Sequence, residues 1–192
     1  MDIVLAFILI ALLSPLFLVI SLIIKLTSPG PIFFKQKRLG SRGAEFMMYK
    51  FRSMVTNAEQ LRDELMAFNM MNGPVFKMKG DPRVTKFGKF IRRTSLDELP
   101  QLWNVLRGEM SMVGPRPLPV PEVEKTDMRQ MERLKVKPGL TCLWQVNGRS
   151  RIVDFDKWLS LDLEYVHNAS LGLDVKILLK TVRVVISGFG AE

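Results

Sequence analysis

A chain of 192 residues with 47% hydrophobic and 24% charged residues fits one domain of ordinary size, with or without a short appendage, and excludes wholesale disorder and collagen-like or low-complexity architectures. The single cysteine, Cys142, cannot close an internal disulfide, and with the single histidine, His167, it excludes the usual Cys/His zinc cages. A formal net charge of +9 calls for an anionic partner. Nucleic acid, phospholipid headgroups and a phosphorylated substrate all qualify on charge alone.

The apolar content is concentrated at the front. Ile3 to Ile24 carries no charge and departs from an apolar run only at Ser14, Pro15 and Ser21, which predicts a membrane segment. A secretory signal peptide fits poorly, because Met1 and Asp2 supply no basic leader and no small-residue cleavage site precedes Lys25. As a straight helix the run spans about 33 Å, enough for a hydrocarbon core of roughly 30 Å. Pro15 lies near its middle and removes a backbone hydrogen bond; Ser14 could satisfy a freed backbone group. Two readings follow: a kinked spanning helix, or a helix that breaks at Ser14 and Pro15 and returns to the side it entered. Periodicity does not separate them. Either way the remainder is expected on the cytoplasmic side, because no Lys or Arg precedes the run while Lys25, Lys35, Lys37 and Arg38 follow it.

From Lys25 to Arg93 there are 15 basic residues against five acidic ones, a stretch expected to bind anionic headgroups or to form a solvated face. Ser28 to Pro31 punctuate the exit from the membrane. Ile32–Gln36 and Phe46–Arg52, joined through Gly40 to Gly43, predict a β-hairpin. Thr56 and Glu59 have capping-box spacing ahead of Leu61, Leu65 and Phe68, which predicts a helix. Further helices are expected over Gln101–Met110, Glu122–Leu134, Asp154–Val166 and Leu173–Ile186. The last carries Lys176, Lys180 and Arg183 on one stripe, and suits a membrane interface or a core face with a solvated stripe. Trp103, Trp144 and Trp158 are expected in the core or as interfacial anchors.

Walker A, G-x-G-x-x-G and H-E-x-x-H sequences are absent. Asp154 and Asp156 form a D-x-D, which binds a metal-nucleotide in some sugar transferases but here precedes an apolar-periodic run and reads better as a helix cap. The informative stretch is Arg92 to Asn104. Ser95 and Glu98 have capping-box spacing, and Pro100 suits a helix opened by Asp97. Asp97 and Glu98 are then either plain capping residues or a pair dividing labour between a nucleophile and a metal ligand, as phosphoryl transfer requires. A carboxylate approaching a diphosphate needs the phosphate oxygens neutralised. Arg116, held between prolines in Gly114-Pro115-Arg116-Pro117, is a rigid candidate for that task.

The stretches Tyr49-Lys50-Phe51-Arg52-Ser53-Met54, Ser95 to Leu102, Met112 to Pro117, and Lys137 to Thr141 with Gln145-Val146-Asn147-Gly148-Arg149 resemble the bacterial sugar transferase family, monotopic phosphoglycosyl transferases that act on polyprenyl phosphate. The resemblance covers essentially the whole chain, in order. It implies an α+β fold: a re-entrant membrane helix (residues 1–26) broken at Ser14 and Pro15, then a catalytic region (27–192) with a small β-hairpin and amphipathic helices lying on the inner leaflet, at the cytoplasmic face of the bacterial inner membrane. It implies that Asp97 is the nucleophile, taking sugar-1-phosphate from a UDP-sugar and releasing UMP, and that Glu98 is the Mg²⁺ ligand. Undecaprenyl phosphate then attacks the acyl phosphate, the first membrane step of exopolysaccharide or O-antigen-type assembly. Arg92, Arg116 and Arg149 map onto substrate phosphate contacts. The partners implied are the UDP-sugar, undecaprenyl phosphate and inner-membrane phospholipids, with no nucleic acid; self-association is left open. Family members usually carry basic residues and a Phe ahead of the position of Asp2, where this chain starts, as it would if it were the catalytic part of a longer protein. Ser187 to Ala191 resembles the endings of longer exopolysaccharide-initiating enzymes, which favours glucose or galactose phosphate as the group transferred. The competing class is a non-catalytic, membrane-tethered basic adaptor for anionic lipid or another phosphorylated ligand.

Overall fold

The structure, a computed structural model, describes residues 1–124 and 126–187. It is α+β. The apolar run forms one helix, α1 (Asp2–Thr27), long and apolar enough to cross a membrane. The chain then enters an antiparallel hairpin of β1 (Phe33–Leu39) and β2 (Glu45–Phe51). Its turn is a single 3-10 turn, Ser41–Gly43, with Arg42 and Gly43 at positive φ. Helix α2 (Lys86–Arg93) and helix α3 (Gln101–Leu106) flank a 3-10 turn, Leu96–Glu98. Strand β3 (Ser111–Val113) pairs in parallel with β4 (Gly139–Thr141) across the short helix α4 (Met128–Glu132). Helices α5 (Leu143–Val146), α6 (Phe155–Asn168) and α7 (Leu171–Ser187) complete the described chain.

Helix α1 runs through Ser14 and Pro15 without interruption, so the expected break is corrected to one missing rung in the ladder. The reason is local. Pro15 has no N–H to offer the carbonyl of Ala11, and the Ser14 hydroxyl donates to that same oxygen at 2.9 Å. Both halves of the helix dock on the rest of the chain. Ala6 is fully buried in a core with Leu102, Val105 and Met110, whereas Ile20 and Ile24 are buried with Phe51 and Ile91. The opposite side leaves Phe7, Leu12, Leu18, Leu22 and Leu26 exposed.

The free edge of β2 is covered by a side chain. Asn104 of α3 accepts from the amide of Tyr49 at 3.2 Å and donates to the carbonyl of Met47 at 2.7 Å, using ladder groups that an edge strand otherwise exposes. Asn104 is fully buried and fixes α3 against the hairpin. Glycine has a specific use in the parallel pair: a Cβ on Gly139 would overlap the backbone of Gly114, and one on Gly114 would overlap Lys137. That close approach seats the Pro115–Pro117 segment over β4, with Pro115 accepting from the Gly139 amide at 3.0 Å.

Other expectations need correction. Thr56 to Phe68 does not form a helix but turns followed by a 3-10 stretch, Asp63–Phe68. Its apolar residues gain little burial; Phe68 is exposed and Leu61 and Leu65 are half-exposed, so nothing repays helix nucleation. The helix expected from Glu122 is confined to α4 because Asp127 takes the N-cap, its carboxylate accepting from the amides of Arg129 and Gln130. Helix α3 stops early, before Gly108 at φ +73. Asp154 caps α6 by accepting from the amide of Asp156, and His167 ends the same helix against Glu132. Trp144 and Trp158 are buried, while Trp103 is exposed. The resemblance noted for Ser187 to Ala191 falls, beyond Ser187, outside the described residues.

Candidate active site

Three separate parts of the chain converge on one carboxylate. Alternation along β2 puts Lys50 on the same hairpin face as Gln36 and Arg38, since Phe34 pairs with Lys50 and Gln36 with Met48. The Lys50 ammonium donates to Glu98 Oε1 at 2.7 Å, and Arg116 Nη2 donates to the same oxygen at 2.6 Å. The three side chains are between 15% and 25% exposed. Arg116 also stands over the Trp144 ring, 5.8 Å from its centroid. Trp144 in turn stacks on Trp158 at 4.0 Å.

Asp97 has a different environment from its neighbour. It is buried, 7% exposed, and among the described residues it accepts no hydrogen bond. The expected capping box is therefore corrected. Ser95 is left-handed, φ +59, and caps nothing; its hydroxyl instead accepts from Arg149 Nη2 at 2.6 Å. The turn begins at this non-glycine left-handed residue, a conformation that costs about 1 to 3 kcal/mol and needs support from its surroundings. Arg149, which also donates to the carbonyl of Arg92 at 3.4 Å, supplies that support.

The two carboxylates are held at opposite ends of their range. Burial pushes Asp97 up to about 6, opposed by Lys50 and reinforced by the charge of Glu98. Burial raises Glu98 as well, but Arg116 and Lys50 outweigh it and hold Glu98 well below the usual carboxylate range. Burial also lowers Lys50, and it lowers Arg38 to about 10 with help from the nearby Arg116 charge. Arg38 donates to the carbonyl of Pro117 at 3.0 Å and to Gln36 at 2.6 Å. All these groups line one cleft of about 1280 Å³, together with Arg92 and Arg149. Its floor carries more cationic than anionic side chains, the electrostatic setting for a polyanion.

Of the residues singled out in the sequence, Asp97, Glu98, Arg92, Arg116 and Arg149 share this cleft; Ser14 and Pro15 lie in α1. Sequence reasoning assigned no part in the site to Lys50 or Arg38. Lys50 lies within a quoted motif, but its partner is 48 residues away, and strand alternation alone marks only the face it occupies. Among the described residues no three acidic, His or Cys side chains gather into a cage for a metal. Glu98 Oε2 and the Asp97 carboxylate nevertheless accept no hydrogen bond among the described residues, and Mg²⁺ is commonly held by one or two carboxylates with phosphate oxygens completing its shell. The donor set fits such an ion.

A half-buried carboxylate gripped by two cations stands beside a buried, uncommitted one in a basic cleft that suits a polyanion, on an α+β scaffold with a long apolar helix. The chain belongs to the bacterial sugar transferase family, whose match extends over residues 1–188. It is 52% identical to the galactosyl transferase CpsE of Streptococcus agalactiae over 85% of this chain and 36% of that protein. It is 45% identical to the undecaprenyl-phosphate galactose phosphotransferase of Salmonella typhimurium over 99% of this chain and 40% of that one. With the exopolysaccharide production protein ExoY of Rhizobium meliloti the identity is 39%, over 96% of this chain and 83% of the relative. The chain thus spans well under half the length of the first two relatives.

The ion trio makes a prediction about stability. Lys50→Met leaves the Glu98 carboxylate with one cation instead of two and should lower unfolding stability by about 2 kcal/mol, the usual scale for a hydrogen bond to a charged group. In a Glu98→Gln background the same substitution should cost much less, because the charge that Lys50 pairs with is gone. Thermal unfolding of the detergent-purified proteins checks both; an equal loss in the two backgrounds would contradict the pairing.

Proposed function

We propose that the protein transfers a sugar-1-phosphate from a UDP-sugar to undecaprenyl phosphate and releases UMP, opening the assembly of an exopolysaccharide or related glycan. The observation that carries this reading is the unequal treatment of two adjacent carboxylates: Glu98 is engaged by Lys50 and Arg116, while Asp97 faces the same cleft uncommitted. The names of relatives supply the substrates, an undecaprenyl-phosphate galactose phosphotransferase and a UDP-glucose:undecaprenyl-phosphate glucose-1-phosphate transferase among them.

In the first half-reaction a carboxylate oxygen of Asp97 attacks the phosphorus that bears the sugar. The bond from that phosphorus to the bridging oxygen breaks, and UMP leaves with the electron pair. Arg92 and Arg116 hold phosphate oxygens and offset the repulsion between nucleophile and diphosphate. Arg149 supports the turn that aims Asp97, through Ser95. Mg²⁺, when bound by Glu98 and phosphate oxygens, supplies further charge neutralisation. In the second half-reaction a phosphate oxygen of the polyprenyl acceptor attacks the same phosphorus. Asp97 departs as carboxylate, and the product is a polyprenyl diphosphate sugar.

The membrane arrangement proposed is monotopic, with residues 1–26 seated in the inner leaflet, both ends toward the cytoplasmic side, and residues 27–192 resting on that leaflet. The docking of Ala6 and of Ile20 and Ile24 on the same body supports this, since both ends of α1 then stay on one side. Helix α7 supports it too: Leu171, Val175, Leu179, Val182 and Ile186 form an exposed apolar stripe beside Lys176, Lys180 and Arg183, opposite the buried Ile177. Such a helix lies in a membrane interface with its cations at headgroup level.

The functional test is nucleotide release. The protein incubated with Mg²⁺, undecaprenyl phosphate and a panel of UDP-sugars should release UMP with at least one donor, and Asp97→Asn should reduce that release almost to background while remaining folded. Release of UDP would point to ordinary glycosyl transfer, and no nucleotide with any donor would favour a non-catalytic adaptor. The topological test places single cysteines next to Asp2 and next to Lys25 in a Cys142→Ser background. Both should react with an impermeant thiol reagent from the cytoplasmic side alone; periplasmic labelling near Asp2 would show a spanning helix.

A further inference from the structure

Behind the cleft, an ion pair is buried with no contact to the space where substrate would lie. Arg133, in the 3-10 turn Arg133–Lys135 after α4, and Asp162, in α6, are 7% and 2% exposed in their side chains and approach to 2.6 Å. Removing two charges from water costs several kcal/mol per ion, and an apolar pair of similar volume is often as stable or more so. Burial pushes Asp162 up to about 6 even with Arg133 beside it. Stability alone therefore does not account for the pair.

What the pair touches does account for it. Arg133 Nη2 donates to the carbonyl of Arg116 at 2.7 Å, and the same nitrogen is held by Asp162 Oδ2 at 2.6 Å. The neighbouring carbonyls are tied as well, Pro115 to the Gly139 amide at 3.0 Å and Pro117 to Arg38 at 3.0 Å. Pro115 and Pro117 have fixed φ, so the last backbone freedom of the segment lies at Arg116 itself. Asp162 also follows Trp158 by four residues, and the two share a face of α6. One turn of that helix therefore backs the Trp144 ring under the Arg116 guanidinium and anchors the Arg116 peptide.

We propose that Asp162 and Arg133 are positioning residues that fix the Arg116 peptide and so aim its guanidinium at Glu98 and at the substrate phosphate. This rests on the reading of Arg116 as a phosphate contact. The pair acts through Arg116 and not on substrate, so its effect disappears when the Arg116 side chain is absent.

A double-mutant cycle reads this directly, with UMP release from a UDP-sugar by the purified protein as the measurement. Asp162→Asn should lower kcat/KM about ten-fold in the wild-type background, within the coupling expected of residues in contact, and should have almost no further effect in Arg116→Ala. The pair of substitutions Arg133→Met with Asp162→Leu fills the same volume without charge; it should keep or raise the unfolding temperature yet show the same loss, and it carries the cycle if Asp162→Asn does not fold. Equal losses in both backgrounds, or full activity in the apolar double variant, would overturn the positioning role. Unchanged activity in Arg116→Ala would overturn it together with the phosphate reading beneath it, and the two failures are told apart by that single variant.

Discussion

Glu98, largely withdrawn from water, gathers two cations on a single oxygen, Lys50 at 2.7 Å and Arg116 at 2.6 Å. Those cations come from different parts of the chain, one from the hairpin and one from the loop that follows β3. Satisfying Glu98 therefore ties three segments together, alongside the Arg38–Pro117 and Asn104 hydrogen bonds. The cost of leaving any of the three groups unpaired exceeds what surface ion pairs contribute. Residues of all three line the cleft: the hairpin, α2 with the Leu96–Glu98 turn, and Arg116.

The same arrangement gives two neighbouring acids opposite environments. Glu98 is ionised and committed, whereas Asp97, buried beside it, is raised to about 6 by burial and pairs with nothing among the described residues. Environments that drive two carboxylates apart are how one site supports two roles. Counting Glu59, Asp81 and Glu122 as well as Asp97 and Glu98, the cleft lining still holds more cationic than anionic side chains, Arg92 and Arg38 among them. That excess of positive charge suits the diphosphate donor proposed above.

Much of the scaffold could be read from residue order, and the misses share a cause. The hairpin was readable because strand alternation and the Gly40 to Gly43 turn are local signals, and α6 and α7 because their apolar periodicity is long. Ser14 was rightly paired with Pro15, although the result is a repaired helix and not a broken one. Thr56 and Glu59 offered a cap with no buried face behind it, and Ser95 offered a capping spacing that Arg149 overrides from 54 residues away. The parallel β3–β4 contact depends on two glycines meeting backbone to backbone, and Lys50 depends on a partner in another element. Spacing reports what a segment prefers by itself; these features are settled by what arrives from elsewhere in the chain.

The central claim is that Asp97 is the group left free to form a bond. The most direct measurement omits the acceptor. Enzyme mixed with Mg²⁺ and a UDP-sugar labelled in the sugar should release UMP up to one equivalent and retain the label on the peptide containing Asp97, in a form that hydroxylamine removes. Label found on another residue, or UMP that appears only once undecaprenyl phosphate is also present, would contradict the account.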